Sequence, residues 1–243
     1  MNRRLVWLSE EADATFPPVD TAMQRPDGLL AAGGDLSSKR LLSAYRHGIF
    51  PWYSDGQPIL WWSPDPRVNF RTDGVRLSSR FRRWLRRSTW LIRADTAFED
   101  VIRACASSSR DGQDGTWITA EMEAAYVALH RLGHAHSVEV VDGERLVGGI
   151  YGVAIGRMFF GESMFSGESG GSKVALAGLA HRLSEWGWPL IDAQVENPHL
   201  MSLGAERMSR REFVTYIEAL TSIDEPAVGW QTRFGELTAS VLA

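Results

Sequence analysis

The apolar residues of this chain change period at His136, and that change limits the folds open to it. Before it, Phe98, Val101, Ile102 and Cys105 recur at i, i+3, i+4 and i+7. Met122, Ala125, Tyr126, Leu129 and Leu132 repeat the pattern, with Gly133 as a stop. Such spacing lines up each set on one helical face. After His136, SVEVV, RLVGGIYGVAIG and RMFFGESMF read as three strands joined by tight turns. The first turn carries Asp142-Gly143, a strong hairpin signal. A glycine-rich loop, SGESGGS, then opens a helix near Ser172, with Leu176, Leu179, Leu183 and Trp186 on one face and Ser172 as a candidate N-cap. PLIDAQVEN follows as a further strand. Helices, a meander, a helix and another strand make an α+β pattern rather than a doubly wound one.

The flanks add smaller elements. Residues 1–36 are rich in Pro, Gly and Asp and predict turns with short strands. Leu41, Leu42 and Tyr45 share a helical face that Gly48 terminates. HGIFPWYSDGQPILWWSPDPR then carries five rings, Phe50, Trp52, Tyr53, Trp61 and Trp62, in a stretch broken by proline and glycine. SPDPR, at 63–67, is the candidate junction between a small N-terminal domain (1–65) and a larger one (66–243). Ser209 and Glu212 predict a capping box for a last helix bearing Phe213, Tyr216, Ile217 and Leu220.

With 44% apolar residues the chain can bury a core, which excludes general disorder, and a net charge of −4 excludes a wholly polybasic binder. The positive charge is nonetheless concentrated. There are two lysines, and eight arginines fall between Arg71 and Arg93 against a single acid, Asp73. On a helix from Ser78, Leu77, Phe81, Trp84 and Leu85 line one side and Arg80, Arg82, Arg83, Arg86 and Arg87 the other. A charge run is usually a solvated face. Five arginines without acids to pair repel one another, and a phosphate backbone relieves that repulsion. Cys105 is alone, so no internal disulfide forms. The start, MNRRLVWLSEE, is too short in apolar residues for a secretory signal, and no run is long enough to span a membrane. The expectation is a soluble cytoplasmic protein that makes no membrane contact.

Two strands hold polar residues in apolar surroundings. In IDAQV, Asp192 and Gln194 project to one face if the strand alternates. Such a pair costs desolvation unless each group has a partner. From spacing alone, a structural pair is slightly preferred over a catalytic one. Glu162 in FFGESMF is equally a solvent-facing edge residue or a cleft residue suited to a cation. HRLGHAH does not make a metal site, because Gly133 breaks the helix that would align His130 and His134. SGESGGSK lacks the phosphate-loop spacing, and it also lacks the pyrophosphate loop of coenzyme A acetyltransferases.

The order of elements is that of the N-acetyltransferase-like fold, in which the strand after the central helix splays away to open a cleft; this is analogy. More specifically, PDGLLAAGGDLS, GIFPWYS, ILWWSPDPR, GTWIT, LGHAHSVEV, LVGGIYGVA, FFGESMFS, LIDAQV and SLGAE, in this order, resemble the leucyl/phenylalanyl-tRNA–protein transferase family. The resemblance covers most of the chain. It implies a small N-terminal domain packed on an acetyltransferase-like antiparallel or mixed sheet. It also implies an aminoacyltransferase of the bacterial N-end rule pathway, needing no cofactor, ATP or metal. Its donor is aminoacyl-tRNA carrying Leu, Phe or, less well, Met, and its acceptor is the α-amino group of a protein beginning with Arg or Lys.

By the same resemblance, Trp52 and Trp117 contact the terminal adenosine, while Ile150, Phe159, Leu176, Leu179 and Ile191 take the amino acid side chain. Asp192 and Gln194 form the catalytic pair, Asp192 positioning the incoming α-amine and accepting its proton and Gln194 bonding Asp192 or the ester carbonyl; Glu162 meets the substrate amine or the basic residue, and Arg80 to Arg87 hold the tRNA. Ile150 and Leu179 stand where better-known members have Met and Phe, which leaves the preference among donors open. Trp61 and Trp62 are assigned to packing at the junction, and the protein is expected to be a monomer. The two rival readings are a coenzyme A-dependent acetyltransferase and a non-catalytic tRNA-binding module.

Overall fold

The computed structural model describes residues 5–10, 15–108, 118–225 and 229–243. The proline- and glycine-rich start forms a small sheet of β1 (Val6–Leu8), β2 (Leu29–Gly33), β3 (Phe50–Pro51) and β4 (Leu60–Trp62), in the order β1-β2-β4-β3. Between β2 and β3 lies α1 (Ser38–Arg46), where the Ser37 hydroxyl accepts from the Arg40 N–H and Gly48 takes the left-handed conformation after the end, at φ +73°. Trp61 is fully buried and donates its indole N–H to the Gly33 carbonyl at 2.9 Å. Trp62 packs beside it, partly buried. Both rings serve the packing role expected of them.

The remaining strands are β5 (Arg67–Arg71), β6 (Leu91–Ala94), β7 (Ala135–Asp142), β8 (Arg145–Ile155), β9 (Met158–Ser166), β10 (Leu190–Gln194), β11 (Glu206–Met208) and β12 (Leu237–Thr238). They form one sheet in the order β11-β5-β10-β9-β8-β7-β6-β12. Within it β9 and β10 run parallel and the other neighbours antiparallel. The helices are α2 (Ser79–Leu85), α3 (Phe98–Ser107), α4 (Ala120–Arg131), α5 (Gly171–Glu185), α6 (Pro198–Ser202), α7 (Arg210–Thr221) and α8 (Trp230–Phe234). The architecture is α+β with a mixed sheet, and the meander falls where the period change puts it. No helix among the described residues is long and apolar enough to cross a membrane.

Two apolar clusters hold the layers together. Leu176, Leu179 and Leu183 of α5 pack with Val138, Val140, Ile150, Phe159 and Ile191 of the sheet, and Trp188, Trp230 and Phe234 complete that cluster. The second cluster joins α1, α3, α4, α7 and the small sheet to Ala135, Tyr151, Val153 and Phe160. Burial of this apolar surface is the main favourable contribution to folding.

Four details depart from the sequence pattern. Ser172 lies inside α5, whose N-cap is Gly170, at φ +93°. A side chain at Gly170 would strike the Phe81 ring, which occupies the capping position's free side. Leu132 is 61% exposed because α4 ends one residue before it, and Tyr216 is 44% exposed on the outer edge of α7. The helix bearing the arginines ends two residues before its cluster does. It stops at Leu85, Arg86 caps it, and Trp84 lies 42% exposed, stacked on Phe81 at 5.4 Å.

At the start of α5, Gly148 and Gly171 allow helix and strand backbones to touch. A Cβ on Gly148 would lie 2.4 Å from the Gly171 backbone. Gly148→Ala should therefore lower the unfolding free energy by about 1–3 kcal/mol or more, measured by urea denaturation. An unchanged midpoint would show that α5 can shift away without loss.

Candidate active site

Two strand irregularities build the site. In β9, Tyr151 of β8 faces Ser163 while Gly152 faces Gly161, so Glu162 is the extra residue of a bulge. In β10, Asp192 faces Asn69 of β5 while Gln194 faces Val68, so Ala193 is the extra residue of a second. Bulges re-aim side chains that simple alternation would send elsewhere. Pairing of β9 with β10 runs from Met158–Leu190 to Phe160–Asp192, and Glu162 and Gln194 stand at the positions just beyond it. Gln194 has φ +61°, a left-handed conformation uncommon for a residue with a side chain.

These turns bring Glu162, Asp192 and Gln194 together. The Gln194 side-chain amide donates to Glu162 Oε1 at 2.6 Å, and the Gln194 backbone N–H donates to Asp192 Oδ1 at 3.0 Å. Glu162 is 8% exposed, which removes the solvent-edge reading of this residue. Tyr45 of α1 donates to Glu162 Oε1 at 2.7 Å, and Tyr126 of α4 to Oε2 at 2.9 Å. The two tyrosine hydroxyls also touch each other. Burial raises the Glu162 carboxyl to about pH 8; the hydroxyl and amide donors oppose that rise and the charge of Asp192 adds to it. Burial, then the Glu162 charge, pushes both tyrosines well above their usual range.

Asp192 is fully buried, and both its oxygens are held by Arg67. The guanidinium Nε donates to Oδ1 at 2.8 Å and an Nη to Oδ2 at 2.7 Å. The other Nη donates to the Gly48 carbonyl at 3.0 Å. Arg67 is itself 1% exposed and lies over the rings of Phe50 and Phe213 at 4.7 and 4.6 Å. Sequence reasoning missed Arg67, Tyr45 and Tyr126. Only the desolvation cost of an acid in IDAQV signalled that a partner had to exist, and it did not say which residue.

The other candidate residues fall in three places. Ile150, Phe159, Leu176, Leu179 and Ile191 share one apolar cluster between α5 and the sheet, each 5% exposed or less. Trp52 is half-buried, its ring 5.7 Å from that of Trp62 and its carbonyl accepting the Trp62 indole N–H at 2.6 Å. Trp117 lies outside the described residues. Arg80, Arg82, Arg83, Arg86 and Arg87 are all exposed, and no ion pair joins them to an acid among the described residues.

Among the described residues, one cluster away from the site has metal-ligand chemistry. Asp95, His130 and His136 offer ligand atoms within 4.8 Å of one another. His136, rather than the His134 of the sequence motif, faces Asp95, at 2.8 Å. Each group already has other work. His130 Nδ1 meets the Ala135 carbonyl, Asp95 Oδ1 accepts from the Ser137 N–H, and His136 stacks on Trp230 at 4.1 Å. The arrangement is a brace between α8 and the sheet.

Comparison with known proteins supplies the family. The profile described as leucyl/phenylalanyl-tRNA protein transferase matches residues 70–218, and that of the N-terminal domain of the same family matches 34–65. A leucyl/phenylalanyl-tRNA–protein transferase of Xanthomonas euvesicatoria pv. vesicatoria (strain 85-10) is 71% identical over 240 residues, 99% of this chain and 96% of that one. Its counterpart in Xylella fastidiosa (strain 9a5c) is 62% identical over 230 residues, 94% of each chain. A functionally unknown conserved protein of Staphylococcus epidermidis ATCC 12228 overlays with a TM-score of 0.42 at 10% identity, covering 74% of this chain and 68% of that one, a likeness that carries no weight. The profile match over residues 70–218 and relatives at 62–71% identity define the class as an aminoacyltransferase. The chain belongs to the leucyl/phenylalanyl-tRNA–protein transferase family.

The raised Glu162 has a consequence for stability. The folded state holds this proton more tightly than the unfolded chain, so its contribution is complete below about pH 4.5 and is lost as pH rises through about 8. Wild-type stability should fall across that window, and Glu162→Gln should flatten the slope. Urea midpoints at pH 5 and pH 8 measure this; equal slopes for the two proteins would refute it.

Proposed function

We propose that this protein transfers Leu or Phe, and Met less well, from aminoacyl-tRNA to the α-amino group of proteins beginning with Arg or Lys, marking them for N-end rule degradation. The observation that carries the reading is the buried Glu162–Gln194–Asp192 cluster where β9 and β10 part. That parting is the feature an acetyltransferase-like domain uses to admit its substrates, and it supports assigning residues 66–243 to such a domain, with 1–65 as the smaller one.

The chemistry is aminolysis of an ester. The acceptor nitrogen attacks the ester carbonyl, a C–N bond forms, and the C–O bond to the terminal ribose breaks. The amine loses one proton and the ribose oxygen gains one. Glu162, the carboxyl poised nearest neutrality, binds the amine and passes this proton. Gln194 orients the reacting carbonyl, and Asp192 holds Gln194 by its backbone N–H. The tRNA ester is already activated, so no ATP, cofactor or metal enters these steps.

The donor is held at three points. Trp52 and Trp117 stack on the terminal adenosine, which an indole does without reading sequence, for about 1–3 kcal/mol per base. Ile150, Phe159, Leu176, Leu179 and Ile191 form the apolar wall for the amino acid side chain. Arg80 to Arg87 meet the phosphates of the tRNA, a contact that arginine and lysine make alike. The protein works as a cytoplasmic monomer in this scheme.

Labelled Leu-tRNA, a peptide beginning with Arg, and the purified protein test the reading. The peptide should gain leucine. Binding of tRNA without transfer would leave a non-catalytic tRNA-binding module instead. Asp192→Asn should abolish transfer while tRNA affinity stays nearly unchanged, whereas parallel loss of both would indicate a structural role. Reversing Arg83 and Arg86 to Glu should raise the KM for aminoacyl-tRNA. It should also flatten the slope of log affinity against log salt, which about four or five phosphate contacts set near −3 to −5 in the wild type. An unchanged KM and slope would remove the arginine face from the tRNA path.

A further inference from the structure

Among the described residues, Arg67 is the one cation that meets both the reacting centre and the aromatic loop. It is buried, and its guanidinium fork matches the Asp192 carboxylate oxygen for oxygen. With Oδ1 also accepting the Gln194 N–H, neither Asp192 oxygen is left facing a substrate. The third direction of the guanidinium leads elsewhere, to the Gly48 carbonyl, four residues before Trp52. Its faces lie against Phe50, in the same loop, and Phe213 of α7.

We propose that Arg67 is a positioning residue of the transfer reaction, clamping Asp192 so that Gln194 keeps its left-handed backbone, and tying both to the loop that carries Trp52. Asp192 therefore acts through Gln194 and is not a proton acceptor. The inference rests on the transferase reading above and deepens it.

A simpler account is that Arg67 only neutralises a buried acid. The contacts separate the two. Neutralisation needs one cation near the carboxylate, and a lysine ammonium supplies that. Holding two carboxylate oxygens and the Gly48 carbonyl at once needs a planar group with donors in three directions, as only arginine has. The left-handed Gln194 adds to this, because a backbone in that region persists where its surroundings over-determine it. The Asp192 carboxylate is the group that meets its N–H.

Arg67→Lys is the discriminating variant, since it keeps the charge and loses the fork. We expect a protein that stays folded at the assay temperature with a melting temperature lowered by several degrees, a KM for Leu-tRNA within about twofold, and a kcat lower by about tenfold to a hundredfold, the cost of a small misplacement at a reacting centre. Arg67→Ala supplies a second readout. Added guanidinium ion should restore its kcat, and ammonium at equal concentration should not.

An Arg67→Lys enzyme with kcat within twofold of wild type overturns the proposal. So does a loss of rate that merely follows the folded fraction, or guanidinium that restores melting temperature but not kcat. The wild-type control keeps the two readings apart: a wild type that forms no peptide product overturns the transferase assignment together with the clamp. A transferring wild type beside an equally active Arg67→Lys overturns the clamp alone.

Discussion

Two carboxylates share the end of a buried strand pair, and the local structure follows from how each is accommodated. A carboxylate taken out of water must be paired, hydrogen-bonded or neutralised. Asp192 is paired: Arg67 meets both its oxygens. Among the described residues Glu162 has no cation against it, and burial beside the charge of Asp192 shifts it towards its neutral form. Neighbouring acids with such different environments acquire different capacities. One is gripped by its arginine and organises backbone, the other is a group that can take and release a proton near neutral pH.

Each of these groups depends on a different part of the chain. Glu162 comes from the meander and Gln194 from the strand after α5. Tyr45 belongs to the first helix, Tyr126 to the helix before the meander, and Arg67 to the strand that follows the aromatic loop. The N-terminal part reaches the same cluster, because Tyr45 contributes a hydroxyl directly to Glu162. The aromatic stretch divides its labour accordingly. Trp61 and Trp62 pack into the apolar cluster beneath the small sheet, Phe50 lies beneath Arg67, and Trp52 remains half-buried beside them.

Much of the scaffold was legible in order and type. The meander, the four-residue face of α3, the Gly48 stop and the Ser209 cap all follow from local chemistry. Errors gathered where tertiary contacts override pattern. Leu132 and Tyr216 continue an apolar period but lie outside the buried arc, and Phe81 supplies the packing that lets a glycine cap α5 in place of Ser172. At the site, Asp192, Gln194 and Glu162 stood out as polar residues in apolar strands. Their mutual contacts did not, because each bulge adds a residue that strict alternation cannot anticipate.

By itself the sequence determined the class of fold, the family, the arginine-rich face and the residue types available for chemistry, since these depend on periodicity, composition and short motifs. The tertiary structure alone decided that an arginine at position 67 grips an acid at 192 and that tyrosines 45 and 126 converge on Glu162. Those partners lie from 36 to 125 positions apart. Local propensity carries no information over such separations, and only the closing of the sheet brings the groups within hydrogen-bonding distance.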